Sequence, residues 1–180
     1  MHSIFLNRYT AFILAVFELH NEVVELFLSH PDRNIFLASK VNTGDNAFIV
    51  ASERGHADCV KLLLDNDPDG ILDLHARDCI GNTGFASACR FGHTNVLKVL
   101  LQYTNRNIDW NAKSTYLRGG VRAEGLTGLT GFGQACFRGY KNVVELLLQH
   151  ANAINLDTNI PEDVPLTDDI KELLEAHDNQ

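Results

Sequence analysis

The sequence lacks the short motifs that usually indicate catalysis or metal binding. It contains no G-x-x-x-x-G-K-[ST] phosphate loop and no H-E-x-x-H zinc motif. It has only four cysteines and no C-x-x-C pair, so neither a zinc site nor a disulfide framework is predicted. These cysteines are Cys59, Cys79, Cys89 and Cys136. We therefore predict reduced thiols, no cofactor, no metal and no enzymatic activity.

Positive charge is also scarce. The 15 lysines and arginines are outnumbered by 23 aspartates and glutamates, which gives a formal net charge of -8. Because binding to a nucleic-acid duplex needs a surplus of positive side chains on the binding face, we predict no nucleic-acid partner.

Long apolar runs are absent as well. No stretch approaches the roughly 18 to 20 continuous apolar residues of a membrane helix, so no membrane insertion is predicted. The apolar stretch 10–17 leads directly into Glu18 and His20 without a small-residue cleavage site, which argues against a signal peptide. We therefore expect a cytoplasmic protein.

What the sequence does contain is an internal repeat. One pattern of small residues, a glycine and a leucine-rich end occurs in residues 15–28, 51–64, 88–101 and 135–148. Leu19 occupies the position that is glycine in the later copies, Gly55, Gly92 and Gly139, and the spacings are 36, 37 and 47 residues. Such a period predicts a stack of similar structural units.

Each copy is predicted to form two short helices. A side chain able to cap a helix N-terminus stands ahead of each first helix. The four caps are Thr10, Asn46, Thr83 and Thr130. The glycines follow the first helices, where a left-handed conformation is needed, so Leu19 predicts a strained or different turn in the first copy. The leucine-rich second helices are too short to be stable alone and must stack.

These features resemble the ankyrin-repeat family, whose unit runs approximately G-x-T-P-L-H-x-A-A-x-x-G-H-x-x-V-V-x-L-L-L. The resemblance covers about residues 9–177 and implies an all-α ankyrin-repeat solenoid of stacked helix-turn-helix units with finger loops. We expect a single domain, 1–180, with repeats at about 7–41, 42–75, 76–111 and 112–154. A finger insertion is expected at about 114–126, and a degenerate fifth repeat at about 155–178 is expected to act as a polar C-terminal cap.

The chain departs from the family pattern after each capping residue. The usual Pro-Leu-His is replaced by Ala-Phe-Ile, Gly-Phe-Ala or Gly-Phe-Gly. The four phenylalanines fill the leucine position and are predicted to form a core ladder; they are Phe12, Phe48, Phe85 and Phe132. Cys89 and Cys136 are expected to pack as small buried residues, and His56 and His93, in the Gly-His step, are expected to be structural.

The resemblance implies a protein-protein interaction module or scaffold. Its partner, a protein or peptide, would dock on the concave side formed by the finger loops and the exposed edge of the first helices (the concave face). Arginines and aromatic residues there are typical interface anchors and suit an acidic or phosphorylated segment. The candidate partner-binding residues are Glu18, Glu53, Arg54, Arg77, Arg90, Phe91, Lys113, Tyr116, Arg118, Arg122, Phe137 and Arg138. The alternative is that some phenylalanines turn inward and that the arginines only increase solubility.

Other functions are compatible with the same repeats. The chain would then be a regulatory or targeting fragment of a larger protein, such as a bacterial effector in the host cytosol or a stoichiometric inhibitor of a kinase or transcription factor. The finger insertion is either a binding device or a tolerated loop. A more remote alternative is an enzyme or small-ligand binder that uses this insertion. We expect a monomer.

Overall fold

The computed structural model describes residues 10–115 and 128–178. Within these ranges the chain forms ten α-helices and no β-strand, with only two isolated β-bridges. The helices are α1 (Ala11–Phe17), α2 (Asn21–Ser29), α3 (Arg33–Leu37), α4 (Ala47–Arg54), α5 (Ala57–Asp65), α6 (Gly84–Arg90), α7 (Thr94–Leu100), α8 (Gly131–Phe137), α9 (Lys141–Ile154) and α10 (Asp168–Asp178).

The helices are arranged as a row of antiparallel pairs. The pairs are α1 with α2, α4 with α5, α6 with α7, and α8 with α9. The first helices contact one another in the order α1, α4, α6, α8, and the second helices in the order α2, α5, α7, α9. Each pair therefore contacts mainly its neighbours, as in other repeat proteins. The predicted all-α ankyrin solenoid is confirmed.

The four predicted N-terminal caps are present. The side-chain oxygens of Thr10, Asn46, Thr83 and Thr130 accept hydrogen bonds from the backbone N–H three residues later, at 3.2, 3.0, 3.3 and 3.2 Å. Each cap satisfies a donor that the helix itself cannot, and is worth about 1 kcal/mol. The side chain of Asn46 also donates to the backbone oxygen of Asp73 at 2.7 Å, which connects the second repeat to the start of the next finger.

The turn inside each pair uses a left-handed residue. The φ angles of Gly55, Gly92 and Gly139 are 76°, 75° and 71°. Leu19 adopts the same conformation with φ of 59°. Of the two alternatives predicted for the first repeat, a strained turn or a different one, the strained turn is therefore present. A residue with a β-carbon in the left-handed conformation costs about 1 to 2 kcal/mol.

The phenylalanine ladder forms the centre of the core. Phe12, Phe48, Phe85 and Phe132 are each at most 1% exposed, as predicted. The rings of Phe48 and Phe85 lie against Gly84 and Gly131, the first residues of the next first helices. A β-carbon at Gly84 would lie 2.5 Å from Cε1 of Phe48, so this close approach requires glycine.

The Gly-His step links neighbouring repeats. Nε2 of His56 donates to the backbone oxygen of Phe17 at 3.2 Å, and Nε2 of His93 donates to that of Glu53 at 2.7 Å. Both histidines are therefore structural, as predicted. Tyr140 replaces the histidine in the fourth repeat, and its ring packs over Gly92.

The two ends of the stack differ. At the C-terminal end, α10 packs on α9 through the fully buried Ile170, while Asp168, Asp169 and Glu172 are exposed. No helix in the described ranges combines the length and the apolar character needed to cross a bilayer.

Candidate partner-binding face

The predicted binding residues of the four repeats lie in two rows at the C-terminal ends of the first helices. One row contains Phe17, Glu53, Arg90 and Phe137, and the other contains Glu18, Arg54, Phe91 and Arg138. Every member of the second row is exposed, and Phe91, although large and apolar, is 42% exposed. In the first row Glu53 is exposed, whereas the other three residues are half-buried.

Two of the arginines stack on phenylalanine rings. The guanidinium carbon of Arg54 lies 4.2 Å from the ring centroid of Phe17, and that of Arg90 lies 5.5 Å from the ring centroid of Phe91. Both distances are within the cation–π range, which is worth about 0.5 to 1 kcal/mol at exposed sites. The ring of Phe91 also stacks on His93, with centroids 6.2 Å apart. Stacking holds each guanidinium plane in place while its edge can still donate hydrogen bonds.

The finger side of this face is acidic. Although part of Glu53 is exposed, desolvation of its carboxyl group by the surrounding protein is the main cause that raises its pKa, and the nearby carboxylates of Asp45 and Asp78 raise it further. Arg90 and Arg54 act in the opposite direction but do not outweigh these effects. Burial also raises the pKa of Asp78, although backbone N–H groups donate to its carboxylate. This face is therefore mixed in charge, because Asp45 and Asp78 of the fingers and Glu53 of a helix end lie near Arg54 and Arg90.

The fingers use one predicted binding residue for structure. Nη1 of the half-buried Arg77 donates to the backbone oxygen of Gly81 at 2.7 Å and to that of Lys113 at 2.8 Å. Arg77 therefore joins the third finger to the fourth. Lys113 is exposed. The other predicted finger residues, Tyr116, Arg118 and Arg122, lie outside the described residues, as does most of the 114–126 insertion.

A polar network that the sequence did not predict connects the third finger to the fourth repeat. Gln134 and Asn82 are fully buried, and Nε2 of Gln134 donates to Oδ1 of Asn82 at 2.9 Å. The backbone N–H of Asn82 in turn donates to Oδ1 of Asp78 at 2.8 Å. Gln134 occupies the position of Val50 and Ser87 in the neighbouring repeats, so the repeat pattern gave no signal for it.

The surroundings of all four thiols raise their pKa. Cys59, Cys89 and Cys136 are buried, and burial raises the pKa of Cys59 and of Cys136 to about 12. It raises the pKa of Cys89 well above its usual value. Cys79 is exposed, but partial burial and the charge of Asp78 raise its pKa too. Reactive cysteines usually have a lowered pKa, which is the opposite of the shift at these four thiols.

Comparison with known families agrees with this architecture. A family model of ankyrin repeats, in three copies, matches residues 12–114, which is more than half of the chain. The chain belongs to the ankyrin-repeat family. Ankyrin repeats are generally protein-protein interaction modules. The match ends before α8 and α9, which pair like the earlier hairpins and begin with the same type of cap. A search of curated proteins finds no match.

Proposed function

We propose that this ankyrin-repeat protein binds a partner protein or peptide along its concave face, and that the bound segment carries acidic or phosphorylated side chains. The observation that carries the proposal is the stacking of Arg54 on Phe17 and of Arg90 on Phe91. A stacked guanidinium loses little further freedom when it binds, because its plane is already oriented.

The arginines of the face are available for an anionic partner. Among residues 10–115 and 128–178, no carboxylate lies within 4.0 Å of the guanidinium groups of Arg54, Arg90 or Arg138. Carboxylates and phosphates bind two N–H groups of one guanidinium at once, which gives both affinity and a fixed orientation. Phe91 supplies an exposed apolar contact between the second and fourth repeats.

The mixed charge of the face determines how the partner segment lies. Its anionic groups are expected to contact the arginines of the helix ends, since Asp45 and Asp78 would repel them near the fingers. Neighbouring packed helices are about 8 to 10 Å apart, so anionic groups spaced by about that distance would reach arginines of successive repeats. A polar or basic side chain of the partner is expected to face the fingers.

The test is affinity purification from the native cell with the complete chain as bait. The triple variant Arg54→Glu, Arg90→Glu and Arg138→Glu is compared with the wild type. A matched control reverses three exposed lysines of the helical hairpins and the cap: Lys98→Glu, Lys141→Glu and Lys171→Glu. Both variants change the net charge equally. We expect the specific partners to be lost from the arginine variant and kept by the lysine variant.

Phosphatase treatment of the lysate separates the two kinds of anion. Loss of partners after treatment indicates a phosphorylated segment, whereas retention together with strong salt sensitivity indicates carboxylates. Specific partners that survive the arginine reversal would contradict the proposal.

A further inference from the structure

The first repeat leaves apolar surface exposed at the N-terminal end of the stack. Of the six exposed large apolar side chains in the described residues, four lie in or beside this hairpin: Leu19, Val23, Leu26 and Ile35. Leu26 is 71% exposed and Val23 is 42% exposed, both on α2. Contiguous exposed apolar surface usually marks a site of interaction.

In the later repeats, the position equivalent to Val23 is buried between neighbouring repeats. Val23 corresponds to Cys59, Val96 and Val143, which are at most 1% exposed. In those repeats the second helix packs against the second helix of the preceding hairpin, and among the described residues α2 is the first helix of this row.

The first residue of each first helix shows the same difference in exposure between the first repeat and the later ones. Ala11 is exposed, whereas its equivalents Ala47, Gly84 and Gly131 are buried. Ala11, Val23 and Leu26 (the N-terminal end face) therefore continue the interface by which repeats pack on each other. The opposite end has no such face, because α10 covers it and presents acidic side chains.

We infer that the N-terminal end face pairs with the same face of a second copy of this chain, with the two α2 helices antiparallel. Glu22, Leu26 and His30 recur every four residues along α2 and its C-terminal cap, so they lie on one side of the helix. A two-fold axis at Leu26 places the two Leu26 side chains together. It also places Glu22 of each copy opposite His30 of the other, so a carboxylate acceptor faces a ring N–H donor on both sides of the axis.

The local structure of His30 suits this contact. The backbone N–H of Asp32 donates to Nδ1 of His30 at 3.1 Å. An Nδ1 that accepts this bond leaves Nε2 as the ring nitrogen that can donate to a carboxylate of the second copy. Glu22 and His30 are both exposed.

The dimer is expected to be weak. The end face contains far fewer residues than the about 20 to 30 per side of a standard interface. The chain is thus monomeric at low concentration, in keeping with the monomer expected from the sequence, and pairs as the concentration rises. This inference is independent of the proposed partner-binding function, because it concerns a different surface.

Analytical ultracentrifugation of the complete chain tests the inference. Between about 1 µM and 1 mM, we expect the average mass to rise from the 20.0 kDa of one chain toward twice that value. Leu26→Glu should weaken the dimer by at least about tenfold, since it places two carboxylates at the centre of the interface. Phe91→Glu is the matched control, because Phe91 is also exposed but lies on the concave face, and it should dimerise like the wild type.

A charge swap tests the antiparallel arrangement without changing the apolar residues. Glu22→Lys and His30→Glu should each weaken the dimer, and the double variant should restore it. Failure of the double variant to recover, or equal effects of Leu26→Glu and Phe91→Glu, would overturn the inference. A wild type that stays monomeric would also overturn the inference. If only a chain lacking residues 1–9 dimerised, the conclusion would be that this segment covers the face.

Discussion

The ion pair between Asp67 and Arg106 gives the sharpest prediction about stability. The Asp67 side chain is fully buried and that of Arg106 is 19% exposed. Nη1 of Arg106 also donates to the backbone oxygen of Asp67 at 2.7 Å, and Nη2 contacts the carboxylate. These contacts connect the loop after α5 to the loop after α7, and so join the second repeat to the third.

Arg106→Ala leaves the Asp67 carboxylate buried without its counter-charge. Breaking a buried pair in this way costs about 3 to 5 kcal/mol. We expect the free energy of unfolding to fall by about 3 kcal/mol, the lower end of this range. The reason is that the backbone N–H groups of Ile71 and Leu72 still donate to Oδ1 of Asp67 at 2.7 and 3.1 Å. That loss is a large fraction of the roughly 5 to 15 kcal/mol that stabilises a typical domain.

The assay is urea unfolding followed by circular dichroism, with hydrogen exchange to locate the change. Amides of α5 and α7 should lose the most protection, since the pair links these repeats. Lys61→Ala breaks the exposed pair of Lys61 with Asp65 and should lower the stability far less than Arg106→Ala does, because solvent screens that pair. Equal, small losses for both variants would refute the view that burial makes the Asp67 pair important.

Three further predictions concern packing, capping and pH. Gly84→Ala should destabilise the fold by about 1 to 3 kcal/mol, because the new methyl group would lie 2.5 Å from the buried ring of Phe48. Gly133→Ala, where the nearest neighbour would be 3.4 Å away, should be neutral or stabilising by up to about 1 kcal/mol, as thermal unfolding can test. Thr83→Ala should cost about 1 kcal/mol in the same measurement, through loss of the α6 cap. The pKa of Glu53 is raised in the fold, so stability is lost as the pH rises through the folded pKa. Glu53→Gln should therefore be more stable than the wild type at pH 7. Denaturant titrations should show that this difference vanishes below about pH 4.5.

The sequence predicted the features that recur in every repeat. The caps Thr10 and Thr130, the left-handed glycines and the phenylalanine ladder follow from local chemistry repeated at a constant spacing. The features it missed depend on pairs far apart in the chain. Gln134 reaches Asn82 across 52 positions, and Arg106 reaches Asp67 across 39. A repeat pattern cannot predict such pairs, because each of them occurs only once along the chain.

The sequence predicted a basic, aromatic-edged concave groove, but it did not show the acids beside the arginines, for a related reason. Arg54 and Arg90 were identified as surface residues from their place in the repeat, but their neighbours come from the fingers. Asp45 and Asp78 lie in loops whose length varies between repeats, so counting along one repeat does not show that they approach Glu53. Electrostatics at a repeat-protein surface is set between repeats rather than within one.

Exposure compared across equivalent positions distinguishes two kinds of surface in this stack. The row of Glu18, Arg54, Phe91 and Arg138 is exposed in all four repeats, so no neighbouring repeat ever covers it. Val23 is exposed only in the first repeat, and its equivalents are buried by the hairpin that precedes them. A surface left open in every repeat lies along the whole stack and fits an extended partner segment. A surface that is exposed in one repeat only lies at an end of the stack, and it fits a partner that packs on it in the way that a neighbouring repeat would. The two proposals concern different surfaces, so either can fail without the other.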